Sequence, residues 1–294
     1  MNRVGAYIVR RLGLAVLQIV LVATLVFAFL HLLPGDPVLV VLGSERSVTP
    51  EQVEAYRHEL GLDRPLWEQY GRWIGGLARL DLGTSLVDKE PVIRSISARL
   101  PRTLELVGVA SCLAVAVAIP MGVAAALRRG STLDWLLTAT AATGISVPVY
   151  VVGSLLVLLF SIKLGLLPAG GYTELAEDPH RHLLQLILPS VTLAFNMAAT
   201  ITRMTRSSLL EVLGQDYVRT ARAKGLPERR VIYRHALRTS LIAVVTVIGV
   251  QVGSLIGGTV LVESIFNWPG LSTLLTNSIA RRDYPMVQGI ILVT

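Results

Sequence analysis

The chain has 294 residues, of which 27 are Lys or Arg, 20 are Asp or Glu and one is Cys. The charges are missing from five stretches, residues 12–33, 106–127, 136–162, 183–202 and 239–262, each at least 20 residues long, and about 20 apolar residues let a helix cross about 30 Å of hydrocarbon. This pattern excludes a water-soluble globular domain, and the single Cys112 excludes an intrachain disulfide.

In chain order, Arg3, Arg10 and Arg11 precede the first stretch. That stretch is longer than the ~7–15 apolar residues of a signal peptide and ends in His31-Leu-Leu-Pro-Gly-Asp, without a small-x-small cleavage site. It is read as a retained transmembrane helix. Residues 34–101 are mixed in charge and predict two amphipathic helices. The first covers 50–60, with Thr49 as N-cap and Gly61 beyond its end. The second follows Pro65, with Leu66, Trp67, Tyr70, Trp73 and Ile74 on one stripe.

The second span (106–127) and the third (136–162, expected as one helix containing Ser146-Val147-Pro148) follow. His180-x-His182 reads as a solvated pair in a polar loop, not as metal ligands. The fourth span contains Pro189 and Asn196, and the fifth contains Gln251. Polar side chains at these depths must face protein or a water-filled cavity. Ser146, Asn196 and Gln251 are the candidate pathway-lining residues, with interhelical hydrogen bonding an equal reading for Asn196 and Gln251. Gly249, Gly253 and Gly257 form a small-residue face expected to pack helices. A short helix is predicted over Leu271–Ala280, and a sixth apolar run starts near Met286. That run reaches Thr294 after roughly 13 Å at the helical rise, under half a membrane, so the natural chain is expected to continue.

With the N-terminus in the cytoplasm, the inside segments hold fourteen cations, among them Arg128, Arg129, Arg203, Arg206, Arg229, Arg230, Arg234 and Arg238. Only Asp134, Glu211, Asp216 and Glu228 oppose them there. An excess of Arg and Lys in short loops beside helix ends marks the cytoplasmic side. Membrane topology therefore explains the net charge of +7 without any nucleic acid.

Between the fourth and fifth spans, residues 217–224 are strong helix formers, with Asp216 at the start and Lys224 in the last turn. Gly225 stands where a left-handed residue ends a helix, and Pro227 stops continuation. The segment predicts a short helix outside the membrane, braced by two spans. It reads as a lever gripped by a soluble partner, as a binder of anionic lipid headgroups, or as a solvated basic loop. A DNA-binding role conflicts with its being anchored at both ends beside the bilayer.

This loop resembles that of the inner-membrane permease subunits of ABC importers, in the dipeptide and oligopeptide branch. The branch motif Tyr-x-Arg-Thr-Ala-Arg-Ala-Lys-Gly-Leu is matched from Tyr217 through Leu226, whereas the wider family signature is matched only at Ala221, Gly225 and Leu237. Leu33-Pro34-Gly35-Asp36-Pro37, Gly61-Leu62-Asp63-Arg64-Pro65-Leu66, Asp81-Leu82-Gly83-Thr84-Ser85 and Ser146-Val147-Pro148 are also similar to the branch, and Leu80 departs from it where glycine is expected. The resemblance implies an all-α, polytopic type I importer permease of six transmembrane helices, the sixth incomplete here. It further implies a division into residues 1–33, an extracytoplasmic insertion 34–101 and a permease core 102–294 with its coupling loop at 207–238. The implied partners are a second permease, two cytoplasmic ATPase subunits that bind ATP and Mg²⁺, an extracytoplasmic binding protein and the lipid bilayer of a bacterial inner membrane. The expected cargo is di- or oligopeptides.

The expected coupling residues are Tyr217, Val218, Arg219, Thr220, Ala221, Arg222, Lys224, Gly225 and Leu226. Arg219, Arg222 and Lys224 are expected to pair with acids on the ATPase, and Val218, Ala221 and Leu226 to fill its groove. The sequence has no Gly-x-x-x-x-Gly-Lys-[Ser/Thr] phosphate loop and no evident catalytic set, so neither enzymatic activity nor a cofactor of its own is expected. A secondary transporter is disfavoured because the five spans lack ionisable residues. A membrane-anchored receptor acting through 34–101 is the other rival.

Overall fold

The computed structural model describes residues 3–32, 38–39 and 49–294; the 33–37 motif lies outside them. The chain forms two compact units, Met1–Pro101 with Thr273–Thr294, and Arg102–Ser272. In order, the helices are α1 (Arg3–Leu32), α2 (Pro50–Glu59), α3 (Leu66–Leu77), α4 (Val92–Leu127), α5 (Thr132–Ser146), α6 (Val149–Leu156), α7 (Pro179–Leu213), α8 (Asp216–Ala223), α9 (Leu237–Gly258), α10 (Val260–Ile265), α11 (Leu271–Ala280) and α12 (Tyr284–Val293). Val157–Lys163 and Val231–Ala236 are wound more widely, as in the five-residue bond from Leu164 N–H to the Leu159 carbonyl, 3.0 Å. Among the described residues, four helices are long and apolar enough to cross a membrane, or five when one bent pair counts as a span.

In the first unit, Thr49 caps α2 reciprocally with Gln52: its hydroxyl accepts from the Gln52 N–H and its own N–H donates to the Gln52 side chain, 3.0 Å. Only part of the predicted α3 stripe is covered. Tyr70 and Trp73 pack against Phe27 of α1, with ring centroids 5.3 and 5.9 Å away, and the Thr24 and Tyr70 hydroxyls are 2.7 Å apart. Leu66 and Trp67 stay exposed. Asp283 caps α12 and also accepts from the Ser85 hydroxyl and the Leu86 N–H. Leu80 has φ +62° and is almost wholly exposed, a backbone region that penalises a side chain.

In the second unit, the expected third span is not one helix. α5 and the helix beginning with α6 meet at 103°. Pro148 is the cause, because it lacks the ladder N–H and drives the preceding residue out of helical geometry; Val147 has φ −81° and ψ 124°. The core lies between α4, α7, α9 and α10, with Leu106, Leu186, Leu193, Val262, Phe266 and Trp268 in one cluster and Ala114, Ala118, Met197, Ile201 and Val244 in the next.

Helices α4 and α7 touch so closely at Gly122 that a Cβ there would lie 2.6 Å from Thr205 Cβ and 2.8 Å from the Thr202 carbonyl oxygen. His182 is buried, not solvated: one ring nitrogen is 2.7 Å from the Thr173 carbonyl and the other 2.7 Å from a Glu105 carboxylate oxygen. Beside it, Trp268 donates its indole N–H to the Arg102 carbonyl, 3.0 Å. Glu263 is fully buried and accepts from Thr103 and Thr259 at 2.9 and 2.8 Å.

Two substitutions test these readings by thermal unfolding in detergent. Gly122→Ala is expected to destabilise the protein by about 1–3 kcal/mol through overpacking. Leu80→Gly is expected to raise stability by up to about 1 kcal/mol by relieving left-handed strain.

Candidate functional site

The first candidate site is α8 and the turn that follows it. Helix α8 has a split surface. Val218 and Ala221, three residues apart and so on one face, are buried among Val123 and Ala126 of α4, Leu209 and Val212 of α7, and Val231 and Ala236. Tyr217, Arg219, Thr220, Arg222 and Lys224 are exposed. The helix ends in a Schellman turn: the Gly225 N–H donates to the Arg222 carbonyl at 2.9 Å and the Leu226 N–H to the Ala221 carbonyl at 3.4 Å. Gly225 adopts φ +77°, as its position in the sequence predicts, and a Cβ added to it would meet nothing within 4 Å.

Arg222 closes the turn by donating to both carboxylate oxygens of Glu228, with Nη2 to Oε1 2.7 Å and Nε to Oε2 3.1 Å. That hydrogen bonding raises the guanidinium pKa above its ordinary value. These contacts revise two expectations. Val218 and Ala221 seat the helix on their own chain instead of filling a partner's groove, and Leu226 packs partly against the same cluster. Arg222 has its anion within the chain, and Tyr217, Arg219, Thr220 and Lys224 form the outward face, with Arg219 3.6 Å from the exposed Asp216.

A second tie holds this end of the unit. Arg206 of α7 donates to both oxygens of Asp134 in the first turn of α5, at 2.6 and 2.8 Å. Asp134 also accepts from the Gly130 N–H at 2.9 Å, so the short loop before α5 is locked to α7.

The second candidate site is a cleft of about 520 Å³ at the α5–α6 break. Ser146, Asn196 and Gln251 all line it, with Pro148, Leu193, Met197 and Ser254. The break exposes a need. Pro148 cannot give the N–H that the Gly144 carbonyl would take in a continuous helix, and the Asn196 amide donates to that oxygen instead, 3.1 Å. Gly144 permits the approach, since a Cβ there would lie 2.7 Å from Ala199 Cβ. Asn196 therefore makes the interhelical bond and lines the cleft as well. By contrast, a Cβ at Gly249, Gly253 or Gly257 would meet nothing within 4 Å, so that face packs against no helix among the described residues. No group of three or more His, Cys, Asp or Glu side chains among the described residues is placed to hold a metal ion.

Two family models match: the binding-protein-dependent transport system inner membrane component over residues 118–294, and the N-terminal component of such membrane proteins over residues 4–107. The chain belongs to this family. Among its relatives, the dipeptide transport system permease protein DppB of Escherichia coli K12 is 43% identical, the match covering 97% of this chain and 91% of that protein. The di/tripeptide transport system permease protein DppB of Pseudomonas aeruginosa is 44% identical over 98% and 92%. A solved structure of the MetNI methionine ABC transporter in an inward-facing conformation aligns with a TM-score of 0.53 at 18% identity, covering 68% of this chain and 90% of that chain. This likeness places the chain in the same all-helical permease fold.

Sequence reasoning missed the Asp134–Arg206 tie. The available signal was Asp134 itself, one of four acids among fourteen cations at that end, three residues after a serine N-cap. It also missed that Asn196 answers Pro148, which nothing in the local pattern of either segment reveals. Asn196→Leu is expected to orphan the Gly144 carbonyl and to destabilise the protein by about 1–3 kcal/mol. Thermal unfolding in detergent reads this loss, and Asn196→Gln is expected to restore part of it.

Proposed function

We propose that this family member is a permease subunit of an ATP-driven importer of di- and oligopeptides, forming half of the translocation pathway. Its partners are a second permease, two cytoplasmic ATPase subunits that bind ATP and Mg²⁺, and an extracytoplasmic binding protein. The excess of cations on the side of α8 supports a cytoplasmic N-terminus in the inner membrane of a bacterium. The peptide cargo is supported by the names of relatives at 43% and 44% identity over nearly the whole chain.

The observation that carries the mechanism is the split surface of α8. A helix seated by Val218 and Ala221 on α4, α7 and the segment leading into α9 cannot move alone. Any displacement of its exposed face is passed to three membrane helices, as close-packed interiors transmit strain. ATP-driven closure of the ATPase subunits would press on Tyr217, Arg219, Thr220 and Lys224. The spans then rearrange around the cleft lined by Ser146, Asn196 and Gln251, and hydrolysis resets them.

Gly225 gives the cleanest test, because there is room for a side chain and only the positive φ opposes one. Gly225→Val is expected to abolish substrate-stimulated ATPase activity of the assembled transporter with membrane insertion unchanged, since a β-branched residue there costs about 1–2 kcal/mol and displaces the turn. Gly225→Asn, which tolerates the left-handed region, is expected to keep most of the activity. Equal activity in both variants would remove the lever from the mechanism.

A further inference from the structure

A second cleft, of about 560 Å³, lies between the end of α4, the start of α5 and the segment leading into α9. Its walls are apolar: Ile119, Pro120, Val123, Ala124 and Leu127 of α4, Leu133 of α5, and Leu237 at the start of α9. Two polar side chains, Arg128 and Tyr233, complete the lining, and both are exposed to solvent. We propose that this cleft binds one anionic phospholipid, with an acyl chain along the apolar wall and the phosphate at Arg128 and the Tyr233 hydroxyl.

Charge accounting at this end selects an anion. Two of its four carboxylates are held by bidentate pairing, Asp134 by Arg206 and Glu228 by Arg222, and a third, Asp216, lies 3.6 Å from Arg219. Among the described residues, Arg128, Arg129, Arg229, Arg230 and Arg234 form no ion pair. Two of these flank the cleft in sequence, Arg129 beside Arg128 and Arg234 beside Tyr233.

Depth selects a lipid. Arg128 directly follows the last residue of α4, a membrane-spanning helix, and Trp135 in the first turn of α5 is 73% exposed. Tryptophan and tyrosine at such positions mark the headgroup level, where anionic lipids attract basic side chains. An apolar cleft between spans at that level fits an acyl chain, and the adjoining arginines fit its phosphate.

Occupancy has a mechanical consequence. Val123 lines the cleft and also belongs to the cluster that seats Val218 and Ala221. A bound acyl chain therefore buttresses the support of α8.

Native mass spectrometry of the delipidated, detergent-solubilised transporter, titrated with phosphatidylglycerol or with phosphatidylcholine of the same acyl chains, tests the site. One phosphatidylglycerol is expected to be retained on this chain in preference to phosphatidylcholine. Arg128→Gln is expected to weaken its retention about fivefold. Leu133→Trp, which fills the cleft and leaves every arginine in place, is expected to weaken it as well. An unchanged melting temperature in Arg128→Gln separates lost binding from lost folding. Equal retention of the two lipids, unaltered retention in both variants, or binding that appears only once the ATPase subunits are stripped away would each overturn the proposal. The readout is lipid mass and does not depend on ATP coupling.

Discussion

Hydrocarbon offers no water to a backbone carbonyl, and a donor must be found within the protein. That constraint applies at the break in the third span. Pro148 breaks the third span, the break strips the Gly144 carbonyl of its helical partner, and Asn196 reaches across from α7 to satisfy it. The bend, the close approach of α5 and α7 at a glycine, and the placing of three polar side chains around one cleft are then a single arrangement. The same accounting recurs near the end of the second unit. There the Thr103 hydroxyl donates to the buried Glu263 carboxylate and accepts from the Leu271 N–H at 2.8 Å, so a loop and a carboxylate are satisfied by one side chain.

Coupling depends on a different balance. A helix meant to transmit motion needs one face fixed to the spans and another free for a partner, and eight residues allow both only when small or compact apolar groups recur on one side. Val218 and Ala221 meet that requirement. Arg222 and Glu228 then hold the turn closed from outside, while Gly225 permits the chain to reverse without strain. On the neighbouring loop, the Asp134–Arg206 pair keeps α5 and α7 together, so a force arriving at α8 meets a frame and not a set of separate helices.

The basic character of this end has two components. Some arginines are structural, paired within the chain to Asp134, Asp216 and Glu228. Others, Arg128 and Arg129 at the end of α4 among them, have no ion-pair partner among the described residues. The Asp134 and Glu228 pairs of the first group brace the coupling region, and the second group would supply the attraction to anionic headgroups proposed above. Both contribute to the topological signal, which counts charges without regard to pairing.

The apolar runs, the Thr49 cap of α2 and the helix–turn at 216–225 were legible in the sequence, because each rests on local chemistry: run length, a hydroxyl side chain before a helix, a glycine at a helix end. The resemblance carried by Tyr217 through Leu226 was likewise local and pointed to the family that the comparisons show. What the sequence could not reveal is which faces meet. Val218 and Ala221 looked free for a partner, His182 looked solvated, Arg222 looked unpaired, and Ser146-Val147-Pro148 looked like part of one continuous span. The first two outcomes were decided by groups distant in the chain, at Val123 and Glu105, the third by Glu228 across the turn, and the last by Pro148 itself, with Asn196 answering the break. Burial and hydrogen-bond satisfaction are properties of surfaces brought together by folding, and only the tertiary structure specifies that pairing.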